Sequence, residues 1–370
     1  MAMTGDSLTE REVPNRKVLL VYSAYSTFVQ ADHVLLSSMG EVTPYHYRPA
    51  KGAWSTLREL TRQAFFMLSR GKRYDLILIW FADSHAFLPV WYGCLRKINT
   101  AIVIGGFDAV SFPELKYGLF CSNRIRQFLG KFALRNAGYL LPVDATLVEN
   151  INRYADENGE GIRQGIKTFV TGIRGKIIPT PTSYDPDWWN FNPANERKKS
   201  VLTVGSITNW QRWYLKGCDL LLSAAWSMPE TEFHIYGISE PMITEIRKLE
   251  IPGNFYLHGF SGSEQLREAY RTHAVYAQFS LSEGLPNALC EAMLCGCIPA
   301  GSEVNGIPGA IGDDRLIIRR KDVSDAIKVI RLALEIALTK TDRYRKRIIE
   351  LFPTEKRRNT FSTLLNITND

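Results

Sequence analysis

Apolar residues fall in short, nearly continuous runs, each followed by a stretch with helical spacing, and this alternation repeats along most of the chain. The first run is Lys17-Val18-Leu19-Leu20-Val21-Tyr22; others lie at Val42 to Tyr47, Asp75 to Trp80, Ala101 to Ile104 and Tyr139 to Pro142. Runs without alternating polar positions are buried on both faces, as parallel strands covered by helices are. Strand-helix repetition therefore predicts an α/β domain on an open parallel sheet, with ligands gathering at the carboxyl ends of the strands. A second series opens at Ser200-Val201-Leu202-Thr203-Val204 and continues at Glu232 to Tyr236, Phe255 to Leu257 and Val275 to Phe279. From Ile177 to Ser200 the pattern breaks: Pro179, Pro181, Pro186 and Pro193 oppose regular structure, and Trp188-Trp189-Asn190-Phe191 is expected to pack in a hinge. Two domains follow, residues 17–178 and 200–340, joined by a linker over 179–199, with 341–370 as a C-terminal segment and 1–16 as a polar, mobile tail.

A chain of 370 residues exceeds what one core usually supports, and its 45% apolar and 22% charged residues are those of an ordinary globular protein. With 45 basic against 38 acidic residues the net charge is +7, which favours anionic ligands or membrane surfaces. There is no basic tail or zinc module, so nucleic acid is set aside as a partner. Six cysteines (Cys94, Cys121, Cys218, Cys290, Cys295 and Cys297) form no secreted-domain framework and the first residues hold no apolar signal core, so a cytoplasmic setting is expected. Cys290, Cys295 and Cys297 lack a fourth ligand at a finger-like spacing, and neither a metal nor another cofactor is expected. No apolar run reaches the ~20 residues of a membrane-spanning helix. Asn366-Ile367-Thr368 is a glycosylation sequon in form only.

Two basic helical stretches leave peripheral membrane contact open. Trp54 to Arg73 sets Arg58, Arg62, Arg70, Lys72 and Arg73 around Leu57, Leu60, Phe65, Phe66 and Leu68, while Asn123 to Asn136 carries Arg124, Arg126, Lys131 and Arg135 without an acid. Each reads either as an outer helix of an α/β layer or as a helix lying on the inner face of an anionic membrane.

The richest chemistry stands in Ser282 to Ala300, S-E-G-L-P-N-A-L-C-E-A-M-L-C-G-C-I-P-A. Glu283-Gly284 leaves a strand, Leu285 to Cys295 is helical, Gly296 stops the helix, and Cys297-Ile298-Pro299 re-enters a sheet. Glu283 precedes the helix and Glu291 sits more than a turn inside it. Between them lie free helix N-terminal amides at the positive end of the helix dipole, a place for a phosphate. This stretch resembles the Glu-x7-Glu signature of the retaining glycosyltransferases of family 4, Gly284, Pro286, Ala292, Met293, Gly296 and Pro299 being in register with it as well.

The resemblance implies the GT-B fold, two Rossmann-like parallel-sheet domains facing a cleft, with the C-terminal segment returning towards the first domain. It further implies that Glu283 contacts the donor sugar, that Glu291 holds the nucleotide ribose, and that the backbone of Gly284, Leu285, Pro286, Asn287, Ala288 and Leu289 takes the diphosphate. Lys216, in a Lys-Gly pair, would reach the same diphosphate beside Gly205. Ser206 stands where the family usually has arginine, and Arg212 is a candidate to serve instead. The nucleobase would lie by Gly237 and His258-Gly259-Phe260. His85, Gly105, Gly106 and Asp108 follow two first-domain strands and become acceptor-side candidates; His85 can equally cap the next helix, and Asp108 can be a turn residue. Ser23-Ala24-Tyr25-Ser26 after the first strand lacks the glycine-rich dinucleotide fingerprint, which sets aside a dehydrogenase.

Together these readings predict a metal-independent, retaining transferase for a nucleotide diphosphate sugar, with a UDP-sugar favoured and a GDP-sugar the other donor. The acceptor would be a glycan, lipid-linked or small molecule, in cell-surface polysaccharide or glycoconjugate synthesis. Glu283, Lys216 and His85 are the candidate catalytic side chains. A sugar-nucleotide epimerase of the same fold and a non-catalytic nucleotide-sugar-binding scaffold are the other classes.

Overall fold

The computed structural model describes residues 16–48, 53–70, 74–156, 159–192 and 196–366. The tail up to residue 15, Lys72, Arg73, Pro193 and the Ile367-Thr368 part of the sequon lie outside the described residues.

The first domain runs β1 (Lys17–Tyr22), α1 (Thr27–Ser37), β2 (Glu41–His46), α2 (Ala53–Arg70), β3 (Leu76–Trp80), α3 (Ser84–Arg96), β4 (Asn99–Ile104), α4 (Arg124–Asn136) and β5 (Tyr139–Pro142). A hairpin of β6 (Asn150–Asn152) and β7 (Ile162–Gln164), α5 (Ile166–Phe169) and β8 (Lys176–Ile177) complete it. Its main sheet is parallel, in the order β2-β1-β3-β4-β5-β8. The central strand β3 is wholly apolar and buried, Leu76 to Trp80 on every position, because helices cover both faces.

The second domain repeats the plan with β9 (Lys198–Ile207), α6 (Trp210–Leu215), α7 (Cys218–Ser227), β10 (Glu232–Ile238), α8 (Glu240–Ile246), β11 (Phe255–Leu257) and α9 (Ser263–Thr272). Then follow β12 (His273–Gln278), α10 (Asn287–Leu294), β13 (Ile298–Ser302), α11 (Gly306–Ile311), β14 (Ile317–Ile318) and α12 (Val323–Ala337). All its strand pairs are parallel, in the order β11-β10-β9-β12-β13-β14. Strand order reverses beside β1 in the first sheet and beside β9 in the second. A crevice opens at the carboxyl ends of the strands at each reversal.

The chain ends with α13 (Arg343–Leu351) and α14 (Thr354–Asn366), separated at Pro353 where a single helix cannot continue. The basic stretch from Arg343 to Arg358 is thus two helices rather than one, and they serve different domains: α13 packs on α10 and α11, whereas α14 reaches α1. Arg357 of α14 is buried and clasps Asp32 of α1, Nε to Oδ1 at 2.5 Å and Nη2 to Oδ2 at 2.7 Å. Its Nη1 donates to the linker carbonyls of Thr180 and Pro181, and the Trp80 indole donates to Asp32. The linker itself lies on the second domain, with the Trp189 ring against Tyr270 and Arg345 donating to the Trp189 and Pro186 carbonyls.

Two features differ from the sequence pattern. The β6–β7 hairpin and β8 are only two or three residues per strand, too short to register as apolar runs. On α2, Leu60 and Phe66 pack inward, but Leu57, Phe65 and Leu68 are exposed, and the fully inward positions include Glu59 and Gln63.

Removing one member of a buried ion pair leaves the other uncompensated, at about 3–5 kcal/mol. Arg357→Met should therefore lower the free energy of urea unfolding by roughly that amount, and Asp32→Leu likewise. The double variant should lose clearly less than the sum of the two, and additive losses would show that the pair is not coupled.

Candidate functional site

The two crevices face each other. Between them is a cleft of about 210 Å³, somewhat smaller than the ~300–1,000 Å³ usual for small-molecule sites. Phe28, Trp80, Phe81, Gly105 and Val143 line it from the first domain, Thr182 from the linker, and Val204, Lys216, Gln278 and the run Glu283 to Ala288 from the second.

On the second-domain side everything converges on Glu283, in the loop between β12 and α10. Its Oε1 accepts from Lys216 Nζ at 2.5 Å, from Ser280 Oγ at 2.8 Å and from Gln278 Nε2 at 3.0 Å. Tyr276 in turn donates to Gln278 Oε1, so the strand β12 orients the carboxylate through a chain of buried side chains. No bond to Oε2 occurs among the described residues, which leaves one carboxylate oxygen available to a hydroxyl in the cleft. Lys216 ends α6 and packs its stem on Gly205 of β9, where an added Cβ would stand 3.2 Å from the lysine Cγ. The next helix, α10, starts at Pro286 with no side-chain cap, and no protein acceptor among the described residues takes the amides of Asn287, Ala288 and Leu289. Uncapped amides next to a lysine form a seat for an anion. The Asn287 side chain does not reach into this seat, because its Oδ1 accepts from Thr182 and Tyr184 of the linker.

The first-domain wall is aromatic rather than polar. Phe81 follows β3 with φ at 68°, a left-handed conformation that a bulky side chain seldom adopts, and its ring covers Gly105. Such strain is held where the surroundings fix it, and it is commonest at functional sites. Asp108 does not face the cleft. Its carboxylate is fully buried and accepts from the backbone N–H of Ala82, Gly105 and Gly106, while burial outweighs these bonds and pushes its pKa up to about 6. It therefore fixes the glycine loop from behind, and its acceptor-side reading is corrected accordingly. His85 is corrected too: the ring is buried in the domain, its Nε2–H donates to the Trp80 carbonyl at 2.8 Å, and its own carbonyl takes Gln63 of α2. Burial lowers its pKa, which keeps the imidazole neutral. The cap of α3 is Asp83, ion-paired with Arg126.

Other candidates lie at varying distances from this centre. Glu291 sits one turn deeper in α10, below Ala288 on the same face, and is nearly buried. Desolvation lifts its carboxyl to about 7, and the neighbouring Tyr270 hydroxyl offsets only part of that rise. Arg212 lies over the ring of Tyr117 in the first domain, 5.0 Å from its centroid, and so spans the seam between the domains rather than lining the cleft. Ser206 is exposed near the end of β9, which continues to Ile207 beyond the strand expected from sequence. Gly237, at φ 85°, donates to the Gly259 carbonyl, His258 is bonded to His234 and stacked on Tyr236, and Phe260 is exposed. Among the described residues, no group of three or more His, Cys, Asp or Glu is placed to hold a metal. Gln278 and Ser280 were given no role by sequence reasoning, although a glutamine inside an otherwise apolar strand was a usable signal.

Comparison with known proteins fits this geometry. Residues 186–350 match the family model "Glycosyl transferases group 1", which covers the linker's end, the second domain and α13. An alignment 172 residues long, covering 44% of the chain, is 25% identical to an Arabidopsis thaliana protein that is one of the subunits of phosphatidylinositol N-acetylglucosaminyltransferase; the match spans 38% of that relative's length. Among solved structures, sucrose-phosphate synthase of Thermosynechococcus elongatus superposes with a TM-score of 0.69 at 14% identity, over 94% of this chain and 98% of that one. Anabaena HepE in complex with UDP and glucose superposes with a TM-score of 0.67 at 13% identity, over 95% and 100%. The two facing Rossmann-like domains are the GT-B fold.

Asp108→Ala would strip three buried amides of their acceptor. Thermal and urea unfolding should show a loss of about 1–3 kcal/mol, while UDP, if it binds at the second domain, should bind the variant within about twofold of the parent. Unchanged stability would contradict this assignment.

Proposed function

We propose that the chain is a retaining glycosyltransferase that moves a sugar from a nucleotide diphosphate sugar, a UDP-sugar in the first instance, to a glycan, lipid-linked or small-molecule acceptor. The observation that carries this reading is the Lys216–Glu283 pair beside the unpaired amides of α10, at the strand-order reversal of the second domain. The similarity of residues 186–350 to glycosyl transferases group 1 supports it.

In this reading the diphosphate lies on the amides of Asn287 to Leu289, with Lys216 supplying the cation. These charges are preorganised and need no metal to balance the leaving group. Lys216 also neutralises Glu283, so an anionic donor can approach a carboxylate without net repulsion. The free Oε2 of Glu283 accepts from a sugar hydroxyl. Glu291, one turn below, accepts from the ribose. Opposite them, Phe28, Trp80 and Phe81 offer an uncharged, aromatic wall for the acceptor.

Among the described residues that line the cleft Glu283 is the only carboxylate, and its Oε1 is engaged by three donors. A covalent route through a glycosyl-enzyme needs a carboxylate nucleophile together with a second carboxyl group about 5–5.5 Å away. The cleft therefore favours front-face transfer, in which the departing diphosphate oxygen takes the acceptor proton and the anomeric configuration is kept.

Glu291→Ala should weaken UDP binding at least about tenfold, because charge-assisted bonds to ribose hydroxyls are lost. Glu283→Ala should leave UDP binding within a few-fold and abolish turnover of a UDP-sugar. Ribose hydroxyls favour ionised Glu291, so affinity for UDP should be highest above pH 7 and fall as the carboxyl protonates below about 7. Calorimetric titration across pH checks both points, and equal loss of both ligands in both variants would refute the division of roles. Product NMR should show the donor's anomeric configuration, and an inverted product would refute front-face transfer.

A further inference from the structure

The first domain presents a surface that its fold does not require. The crossovers from β2 to β3, β3 to β4 and β4 to β5 step the same way along the sheet, so right-handed connections place α2, α3 and α4 on one face, with α3 packed against both neighbours. An outer helix of an α/β layer normally turns its apolar stripe inward. On α2 that polarity is partly inverted. Trp54, Leu57, Phe65 and Leu68 are 84, 52, 75 and 68% exposed, at helical spacing along one outward stripe. Beneath them Glu59 and Gln63 are buried, Glu59 paired with Arg62 and Gln63 bonded to the His85 carbonyl. The stripe continues on the neighbours, with Trp91 and Leu95 exposed on α3 and Ile125 and Phe128 on α4.

The charge on this face has one sign. Glu59 is the only acid within the three helices, and it is buried. Arg58, Arg62, Arg96 and Arg124 are exposed around the apolar side chains.

We propose that the α2–α3–α4 face docks on an anionic lipid bilayer, its tryptophans, phenylalanines and leucines entering the headgroup boundary while the arginines meet lipid phosphates. A second copy of this chain is the poorer occupant, since two such faces would oppose arginine to arginine with no exposed acid to answer them. All three helices begin at the carboxyl rim of the sheet, beside the cleft, so a docked domain holds the cleft's mouth at the membrane. That geometry selects, from the acceptor classes above, one carried on lipid. This last step rests on the glycosyl-transfer reading, whereas the docking itself does not.

Flotation of the full chain with phosphatidylcholine vesicles, with and without phosphatidylglycerol, tests the proposal. The chain should float only with the anionic vesicles and progressively less as salt is raised. F65S/L68S removes apolar anchors and R58E/R124E reverses charge; each should lower the bound fraction at least about tenfold. Both should leave the UDP-induced thermal shift unchanged. No flotation, or flotation unaffected by both variants, overturns the proposal. So does lipid-independent self-association in sedimentation velocity that these substitutions abolish without any vesicle binding. Salt-sensitive flotation without a UDP shift would instead retain the docking and defeat the transferase reading.

Discussion

Where the domains meet, the Gly105 carbonyl approaches Gly284 so closely that an added Cβ would stand 2.4 Å from its oxygen, and a Cβ on Gly106 would stand 3.1 Å from the Gly284 amide. Only two glycine-bearing loops can pass at that distance. Their contact sets the width of the cleft, because Glu283 immediately precedes one of them and Phe81 packs on the other. Asp108 holds the first loop by its amides, and Gly284 offers its carbonyl to the Gly306 amide, which ties the second loop to α11. The close approach thus positions the aromatic first-domain wall against the charged second-domain wall without a side chain between the two loops.

Around that contact the electrostatics divide cleanly. Charges that face the cleft are paired but incomplete: Lys216 with Glu283, whose second oxygen has no bond among the described residues. Charges that hold the domains are complete. Arg357 gives hydrogen bonds to Asp32 and to two linker carbonyls, and Asp32 also takes the Trp80 indole. Trp80 lines the cleft, so the crossing C-terminal helix supports the aromatic first-domain wall mechanically. Glu291 belongs to neither group: it is buried one turn behind the cleft lining, and desolvation raises its carboxyl pKa because the neighbouring donors do not offset burial.

Much of this was legible in the sequence. Continuous apolar runs located β1 to β5 and β9 to β12 to within a few residues, because burial on both faces leaves few polar positions to confuse the period. The motif around Glu283 marked a loop and helix, and Lys216 was named beside it from its Lys-Gly pair; the structure brings the two side chains together. The first-domain rim was read less well. His85 and Asp108 look like site residues when only their place after a strand is known, but the direction of a side chain at a strand end depends on φ at the preceding residue and on which backbone amides need acceptors. Arg212 was drawn off by an aromatic ring, Tyr117, nearly a hundred positions away. Gln278 and Ser280 gained meaning only once the fold placed them beside Glu283. On α2 periodicity gave the stripe, and only the packing of Glu59 and Gln63 showed that part of it faces outward.

Hydrogen–deuterium exchange of the full chain, with and without saturating UDP, would locate the ligand without knowledge of the sugar or the acceptor. Amides of residues 287–289 have no protein acceptor among the described residues and should exchange rapidly alone. If α10 seats the diphosphate, UDP should slow exchange across 284–291, with smaller protection at the end of β9 and at Lys216. Bound UDP with protection elsewhere and none over 284–291 would contradict the placement of the donor, and with it the reading of the cleft.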